Sequence, residues 1–495
     1  MYDSLLGDLA TTGPILLVAA LGVAVVLLDS FRNDSPLIPW IAGLGMTGAA
    51  VWQAFLVASP GVAFNGQVYV GGAAAIASIV VLVGAIGSLA LTVPYLSRLG
   101  RNYGEVHALI LFSTAGMLTL VGAGSLITLF VGLETMSVCL YVLTGLVREE
   151  STANESALKY FLLGAFSTGF FLYGLALLYG ATGTMQLALL AEGVLLTGRT
   201  GLFLAGVGLL LVGFFFKVSA VPFHMWTPDV YQGAPTSLTA FMSTASKAAT
   251  FAALAVVLAR ALPAGLVDGT VQTALVAVSA ITMVAGNVLA VVQTNVKRML
   301  AYSSVAHAGY ILAGLAAGTA AGYGASLYYL LAYTLMNVGA FGAIGALEWD
   351  GEQGADQDLD SLAGAGYRRP FLGVALGVFM FALTGFPPLA GFMGKFLVFS
   401  AVVEADLVWL AVLGVLASVV SGVYYLRVLV VLWMRSPDEA PANAQQPFPL
   451  ATATAVVVGA CVVGLVVFGL LPGGVADAAT AAYAPDPVVL VVPAP

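Results

Sequence analysis

Residues 201–231 read GLFLAGVGLLLVGFFFKVSAVPFHMWTPDVY. This stretch is apolar almost throughout, which is typical of a helix that crosses a membrane, but such a helix needs only about 20 residues. Pro222 lies inside the stretch, and a proline removes a backbone donor and clashes with the preceding helical turn. The stretch is therefore predicted to form a discontinuous membrane helix, with Lys217 just before the break.

A second long apolar segment, residues 370–402, is interrupted in the same way by Pro387 and Pro388, and Lys395 follows the break. The chain has 495 residues, of which 60% are hydrophobic and 8% charged, and its mean hydropathy is +1.02. This composition predicts an all-α polytopic membrane protein with about fourteen transmembrane helices. The predicted spans are 11–30, 37–58, 71–95, 106–123, 125–147, 157–180, 201–231, 236–260, 271–293, 299–319, 323–347, 370–402, 407–434 and 448–472.

The two broken segments are the seventh and twelfth spans, so helices 4–8 and 9–13 are predicted to be two copies of one five-helix unit. Because each unit has an odd number of helices, the second copy would be inverted in the membrane, as in many transporters. The predicted parts of the chain are three N-terminal helices in 1–100, a first repeat in 101–262, an inverted repeat in 263–435, and a last helix with an outside tail in 436–495.

Basic residues set the predicted orientation, because cytoplasmic loops carry an excess of Lys and Arg. With the N-terminus outside, eleven basic residues lie in or beside inside loops and only Arg199 and Arg260 lie outside. The eleven are Arg32, Arg98, Arg101, Arg148, Lys159, Lys297, Arg298, Arg368, Arg369, Arg427 and Arg435. Both termini are therefore expected outside. The first apolar stretch follows Asp3 and Asp8, which favours a retained helix over a cleaved signal peptide.

The composition also argues against several classes of function. A net charge of -8 disfavours nucleic acid as a partner. The sequence contains no phosphate-binding loop of the G-x-x-x-x-G-K-[ST] type. Cys139 and Cys461 form no C-x-x-C motif, and three scattered histidines make a haem or metal site improbable. Energy for transport is therefore expected from an ion gradient or from other subunits.

Three lysines inside apolar segments, Lys217, Lys247 and Lys395, indicate a proton or ion pathway. An ammonium at mid-membrane costs about 2.5–3.5 kcal/mol, so such residues are retained for a reason. Glu134 is the only carboxylate near the centre of a span. If it lies beside Lys217, each group favours the charged form of the other, and separating them would release a proton from the lysine. The alternative is a static ion pair that fixes helix packing.

The other candidate groups are two histidines. Two of the three lysines also differ in how deep in the membrane they are expected to lie. His307 lies within a span and His224 follows Pro222, and an imidazole that titrates near neutrality could relay protons between lysines. A histidine in a helix bundle also serves simply for packing and hydrogen bonding. Lys395 could instead extend to the membrane surface, whereas Lys247 is too central for that.

An acidic loop at residues 348–360 stands apart from the apolar chain. It contains Glu348, Asp350, Glu352, Asp356, Asp358 and Asp360. The simpler interpretation is a solvated cytoplasmic loop, and the alternative is a contact with a partner protein.

Two stretches resemble the antiporter-like subunits of respiratory complex I, KVSAVPFHMWTPDVYQGAPT at 217–236 and VKRMLAYSSVAHAGY at 296–310. The resemblance covers about residues 100–435. The family also includes subunits of multisubunit cation/proton antiporters and membrane-bound hydrogenases. Within it, three features resemble the subunit N branch of bacterial NADH-quinone oxidoreductases. These are ALKYFLLGAF at 157–166, Lys395 where subunit M usually has a glutamate, and the lack of the long lateral helix of subunit L.

The resemblance implies a role for individual residues. Glu134 matches the glutamate of the fifth helix, and Lys217 matches the lysine that it modulates. Lys247 matches the central lysine of the eighth helix, Lys395 the exit-side lysine of the twelfth, and Lys159 a further lysine near the cytoplasmic end of the sixth. NADH, FMN, iron–sulfur clusters and quinone are expected in partner subunits and none on this chain. Subunits M and K and membrane lipids are the expected neighbours.

These observations predict a proton-translocating subunit of the bacterial inner membrane without redox chemistry of its own. Protons would pass along Lys217, Lys247 and His307 to Lys395 and leave outside. One alternative is a subunit of a cation/proton antiporter, which would need neither NADH nor quinone. The other is a scaffold that conducts nothing, which the retention of buried charged residues disfavours.

Overall fold

The computed structural model describes residues 2–32, 35–100, 103–262, 267–348, 358–440 and 449–484. Its described part is almost entirely helical, with one short hairpin of β1 (Gly61–Ala63) and β2 (Val68–Val70), which pair antiparallel. The α-helices are α1 Tyr2–Thr11, α2 Gly13–Phe31, α3 Leu37–Leu56, α4 Gly72–Arg98, α5 Gly104–Val121, α6 Leu126–Thr144, α7 Ser151–Thr182, α8 Leu190–Thr197, α9 Thr200–Val218, α10 Trp226–Gly233, α11 Thr236–Val256, α12 Gln272–Val291, α13 Val296–Ala316, α14 Ala320–Leu347, α15 Ala365–Arg368, α16 Pro370–Thr384, α17 Ala390–Glu404, α18 Val408–Met434, α19 Thr452–Leu470 and α20 Gly473–Ala481. Short 3-10 helices occupy Leu187–Leu189, Leu359–Leu362 and Pro437–Glu439, and π-helical turns occupy Val257–Ala261 and Val267–Val271.

Within the described ranges, twelve helices are long and apolar enough to cross a membrane, which confirms a multi-pass helical membrane protein. They are α2, α4, α5, α6, α7, α9, α11, α12, α13, α14, α18 and α19, where α11 and α12 include the adjoining π turns. Two of the predicted spans, 37–58 and 370–402, have no single helix in this set. The first corresponds to α3, and the second is divided between α16 and α17.

The interior of the bundle is formed by α11, α13 and α14. The membrane-crossing window of α11 is 100% buried, whereas that of α2 is 22% buried. A helix that is enclosed on all sides contacts other helices instead of lipid, so it can carry polar side chains if they find partners there. Lys247 on α11 and His307 on α13 are both 1% exposed, which places the two groups in this interior.

Both proline-containing segments are interrupted in the structure. Helix α9 ends at Val218 and α10 begins at Trp226, while α16 ends at Thr384 and α17 begins at Ala390. The Val221–Pro222 and Pro387–Pro388 peptide bonds are cis. Polar groups at the first interruption find partners in neighbouring elements. The Val221 amide donates to Thr282 Oγ1 at 3.0 Å, and the Trp226 indole donates to the Phe216 carbonyl at 2.9 Å.

Helices α5 and α6 are in backbone contact through two glycines. A Cβ added at Gly116 would lie 2.5 Å from the Met136 amide nitrogen, and one at Gly132 would lie 2.5 Å from the Leu120 amide nitrogen. Small residues allow this approach in a membrane, where packing replaces the hydrophobic effect between helices. The contact fixes α6, and with it the position of Glu134.

Glu348 corrects the prediction of a solvated acidic loop, which is wrong for this residue. Glu348 is 2% exposed, its carboxylate accepts a hydrogen bond from the Thr236 hydroxyl, and it forms an ion pair of 3.3 Å with Arg98. Burial raises the pKa of this carboxyl, although Lys297, Thr236 and Arg98 act in the opposite direction. The carboxylate therefore joins the end of α14 to α4 and to the first turn of α11.

The rest of the acidic loop is described only in part. Asp358 and Asp360 are exposed, and Asp360 pairs with Arg435 at 2.5 Å. Asp350, Glu352 and Asp356 lie outside the described residues. The structure therefore supports exposure for the last two acids of the loop.

Substituting either glycine of the α5–α6 contact tests how close the backbones are. Gly116→Ala and Gly132→Ala should each lower stability by about 1–3 kcal/mol, because the added methyl meets backbone atoms that no side-chain rotation can remove. Gly169→Ala on α7 is the control, since nothing lies within 4 Å of its added Cβ. The measurement is the midpoint of heat denaturation of the solubilised protein, and equal midpoints for all three variants would contradict the contact.

Removing the Glu348 carboxylate tests the corrected position of that residue. Glu348→Ala should lower stability by about 3–5 kcal/mol, because it leaves Arg98 in a partly buried site without its anion. The matched control is Asp360→Ala, whose ion pair has side chains 75% and 42% exposed and should contribute at most about 1 kcal/mol. A loss no larger than that of the control, in the same heat-denaturation measurement, would mean that Glu348 is solvated.

Candidate functional site

The Lys217 side chain lies in a pocket of aromatic rings at the end of α9. It is 5% exposed, and its Nζ donates to the Tyr141 hydroxyl at 3.2 Å. The same Nζ lies 5.0 Å from the centre of the Tyr141 ring, 5.3 Å from that of Tyr160 and 6.0 Å from that of Phe216. Aromatic faces attract a cation through their quadrupole, and more strongly where water is excluded. The ammonium is thus stabilised by rings and one hydroxyl.

Glu134 is near this site but is not bonded to Lys217. Its Oε1 accepts from the Thr168 hydroxyl at 2.8 Å, and no ion pair joins it to Lys217 in the described part of the chain. Glu134 and Tyr141 lie seven residues apart on α6, about two helical turns. The predicted direct pair is therefore absent from this conformation, in which both members have neutral partners.

Residues of α7 and α10 hold the aromatic rings around Lys217 in place. Tyr160 on α7 stacks on Trp226 of α10, with ring centres 4.5 Å apart and planes at 9°. Gly164, one turn after Tyr160, leaves room for Tyr141, because a Cβ there would lie 2.1 Å from the Tyr141 hydroxyl oxygen. Sequence reasoning missed these residues and Thr168. A signal was present, since Tyr160, Gly164 and Thr168 recur every four residues on one face of α7.

Lys247 is bound by a serine of α13. Its Nζ donates to the Ser304 hydroxyl at 2.5 Å and to the Ser304 carbonyl at 3.0 Å. The Tyr333 hydroxyl donates to the same serine oxygen at 2.8 Å, and the Tyr231 hydroxyl lies 3.5 Å from it. Ser304 is therefore the shared partner of Lys247 and two tyrosines. It was not among the predicted site residues, although it precedes His307 by one turn on the same helix face.

His307 joins two tyrosines from different helices. Its Nδ1 lies 2.7 Å from the Tyr329 hydroxyl of α14, and its Nε2 lies 3.0 Å from the Tyr425 hydroxyl of α18. Its ring centre is 5.2 Å from that of Tyr333 and 5.6 Å from that of Tyr310. Both ring nitrogens thus have oxygen partners, which is the arrangement needed for an imidazole to accept a proton on one side and donate on the other.

Lys395 binds the C-terminal end of α16 through its ammonium group. Its Nζ donates to the carbonyls of Leu383 and Thr384 at 3.0 and 2.9 Å and to the Ser418 hydroxyl at 2.7 Å. The last carbonyls of a helix lack partners and carry partial negative charge, so a cation is favourable there. Lys395 is 5% exposed, and its Nζ lies 4.9 Å from the Tyr310 ring centre. The side chain points into the protein and does not extend to the membrane surface.

These residues form an array in which hydrogen bonds alternate with ring contacts. Hydrogen bonds join Lys247, Ser304 and Tyr333, and ring contacts then lead from Tyr333 to His307 and Tyr310, whose ring lies beside Lys395. Toward Lys217 the described contacts are the rings of Tyr160, Trp226 and Tyr231. The indole nitrogen of Trp226 is already bonded to a backbone carbonyl, so this side lacks a chain of exchangeable hydrogen bonds.

Two predicted residues lie outside the array. Lys159 is 41% exposed at its side chain and forms ion pairs with Asp229 at 2.7 Å and Glu155 at 2.6 Å, and Asp229 also pairs with Arg298 at 2.6 Å. His224 lies in the interruption between α9 and α10, where its ring centre is 6.4 Å from that of Tyr302. In the described residues its Nδ1 has no hydrogen-bond partner.

The described residues contain no group of three or more His, Cys, Asp or Glu side chains that could hold a metal ion. The titratable groups that do come together are lysines, tyrosines and one histidine. These groups can exchange protons through their nitrogen and oxygen atoms. The array is therefore suited to moving or storing protons.

The Tyr141–Lys217 contact can be isolated by a double-mutant cycle. Tyr141→Phe keeps the ring but removes the acceptor of a charge-assisted hydrogen bond, and should lower stability by about 1.5–3 kcal/mol. The loss should disappear when Lys217 is already Met, because the two changes act on one interaction. Heat-denaturation midpoints of the four variants give the coupling. Tyr173→Phe, on the exposed face of α7, is the control. Additive effects of Tyr141→Phe and Lys217→Met would mean that the contact contributes nothing.

Comparison with known proteins identifies a matching family and several similar chains. Residues 123–421 match the family described as "NADH:quinone oxidoreductase/Mrp antiporter, TM". NADH-quinone oxidoreductase subunit N of Salinibacter ruber (strain DSM 13855 / M31) is 54% identical over 482 residues, 96% of each chain. A chain of respiratory complex I from Thermus thermophilus with bound Aureothin is 36% identical, with a TM-score of 0.80 over 94% of this chain and 98% of that one. A chain of the Mrp complex from Dietzia sp. DQ12-45-1b has a TM-score of 0.84 over 96% of this chain and 97% of its own, but at 21% identity it shows the fold alone.

Proposed function

Because the chain belongs to the subunit N family of NADH-quinone oxidoreductases, we propose that it carries protons across the bacterial inner membrane as a membrane-arm subunit of such a complex. The observation that carries the proposal is the buried array from Lys247 through Ser304, Tyr333 and His307 to Lys395. A scaffold would gain nothing from burying these groups, since apolar residues of similar size would be at least as stable there.

The proposed topology has fourteen spans. Helices α9 and α10 form the two parts of a seventh span, α16 and α17 form the twelfth, and α3 is a further span. Spans 4–8, in residues 101–262, and spans 9–13, in residues 263–435, are inverted copies. The resulting architecture places Lys217 beside one interruption and Lys395 beside the other. Basic residues gather on the cytoplasmic side, and both termini face the periplasm.

The proposed path enters from the cytoplasm toward the central lysines. Lys247 passes a proton through the hydroxyls of Ser304 and Tyr333 toward His307, which takes it at one ring nitrogen and gives up another. Lys395 receives the proton and releases it outside. Hydroxyl groups can accept and donate in turn, so the hydrogen bonds from Lys247 to Tyr333 can exchange a proton, whereas the step from Tyr333 to His307 crosses a ring contact of 5.2 Å. Lys159, with Asp229, and His224 would act nearer the cytoplasmic entrance.

Glu134 would control the loading of Lys217. In the described conformation Lys217 is bonded to Tyr141 and Glu134 to Thr168, so the two are not directly bonded, although the charge of Glu134 still acts on Lys217. Moving the carboxylate to about 4 Å from the ammonium would stabilise the charged lysine by about 4 kcal/mol at an effective dielectric of about 20. Quinone reduction in partner subunits, which would hold NADH, FMN, iron–sulfur clusters and quinone, would drive this movement. Subunits M and K are the proposed neighbours.

Replacing Lys217 tests the proposed function in the assembled complex. Lys217→Ala should lower NADH-driven proton uptake into inverted membrane vesicles by at least about tenfold, because transfer by a positioned acid or base contributes about 10²–10⁴-fold. A native gel checks assembly. Arg199→Ala is the control, since Arg199 is an exposed basic residue bonded only to a neighbouring carbonyl in the described contacts.

The same vesicles separate the alternatives. Full pumping by an assembled Lys217→Ala complex would favour a scaffold. Proton flux that requires sodium or potassium and proceeds without NADH would favour a cation/proton antiporter. Loss of pumping together with slower quinone reduction places Lys217 on the coupled path.

A further inference from the structure

A pocket outside the lysine array opens between the N-terminal helices and the last long helix. Its volume is about 240 Å³, and it lies where α4 ends, α11 begins, α14 ends and α19 begins. Leu91, Phe341 and Leu450 supply apolar walls, and Pro449 at its rim is exposed. The pocket is therefore reached from the surface of the bundle, and its lining is apolar except at one end.

Ser237 marks the polar end of this pocket. The side chain is 3% exposed, it lines the pocket, and its hydroxyl has no hydrogen-bond partner in the described residues. A buried hydroxyl without a partner costs about 1–3 kcal/mol, so such a group favours a water or a ligand that completes it, and Ser237 lines an open pocket. A hydroxyl can donate, which suits an anionic oxygen.

Arg98 places a positive charge at the same end. It lines the pocket, and its ion pair with Glu348 holds the guanidinium in place. Lys297 also acts on Glu348 through its charge, but it does not line the pocket. The first turn of α19 also lines the pocket, and its N-cap residue Ala451 provides no side-chain cap. The uncapped N–H groups of a long helix favour an anion.

We propose that this pocket binds the phosphate of an anionic phospholipid, with Arg98, the Ser237 hydroxyl and the N-terminus of α19 as donors and the acyl chains along α19. The apolar walls of the pocket favour a lipid over a dissolved ion. Outside the pocket, the exposed face of α19 offers the acyl chains an apolar surface, on which Val456 is 63% exposed and Val463 is 61% exposed. A choline headgroup would bring its own cation toward Arg98, so the geometry favours a headgroup without a positive charge.

The test is retention of lipid by the purified, assembled complex. The complex is washed in detergent, supplied with either phosphatidylglycerol or phosphatidylcholine, and the lipid on this subunit is counted by native mass spectrometry after release. We expect the wild-type subunit to retain phosphatidylglycerol in preference to phosphatidylcholine, and Ser237→Ala to weaken retention about tenfold, the effect of one hydrogen bond to a charged group. Ser88→Ala is the matched control, because Ser88 is another buried serine without a partner that does not line the pocket.

Each of the following results would overturn the proposal. Displacement of the lipid by millimolar inorganic phosphate would identify a site for a dissolved anion. Equal retention of the two lipids would remove the charge argument. No retained lipid on the wild-type subunit would mean that a neighbouring subunit covers the face, and equal loss in Ser237→Ala and Ser88→Ala would mean that the pocket plays no part.

Discussion

The cost of enclosing a lysine ammonium away from water shapes the centre of this molecule. Each of the three buried lysines finds acceptors, and each finds a different kind. Lys217 has aromatic faces and a tyrosine hydroxyl, Lys247 has both oxygens of a serine, and Lys395 has the last carbonyls of a helix. Within the described residues none of the three forms an ion pair with a carboxylate. A salt bridge would hold the proton on the lysine, whereas neutral dipoles stabilise the cation less and leave deprotonation accessible.

The interruption after α16 serves the same requirement. The last carbonyls of a helix have no intrahelical partner, so a helix end offers a lysine more free backbone acceptors than a helix interior does. At the end of α16, Gly385 has a φ of +91° and a Cβ there would lie 3.0 Å from the Lys395 side chain. The glycine therefore lets the chain turn and admits the lysine to the carbonyls. Pro387 and Pro388, which follow this helix end, prevent the helix from continuing past it.

The sequence predicted the helical membrane class and the residues whose burial costs the most free energy, because both depend on composition along the chain. It did not predict their partners. Tyr141, Ser304 and Tyr329 lie on helices other than those of the charged groups they bind, and single-sequence periodicity gives no distance between helices. Glu348 was misplaced for a related reason. It opens a stretch rich in acidic and polar residues, and only the tertiary structure brings Thr236 and Arg98 to it.

The uneven continuity of the array has a physical consequence for the proposed function. A path of exchangeable hydrogen bonds through the whole membrane would let protons return down their gradient, so a pump needs one section that conducts only in part of its cycle. Hydrogen bonds join Lys247 to Tyr333 and ring contacts lead on to Lys395, whereas the rings of Tyr160 and Trp226 lie between Lys217 and Tyr231. Trp226 begins α10, directly after the interruption. On the proposed path, this section of rings next to the lysine that Glu134 would load is the one that would open and close.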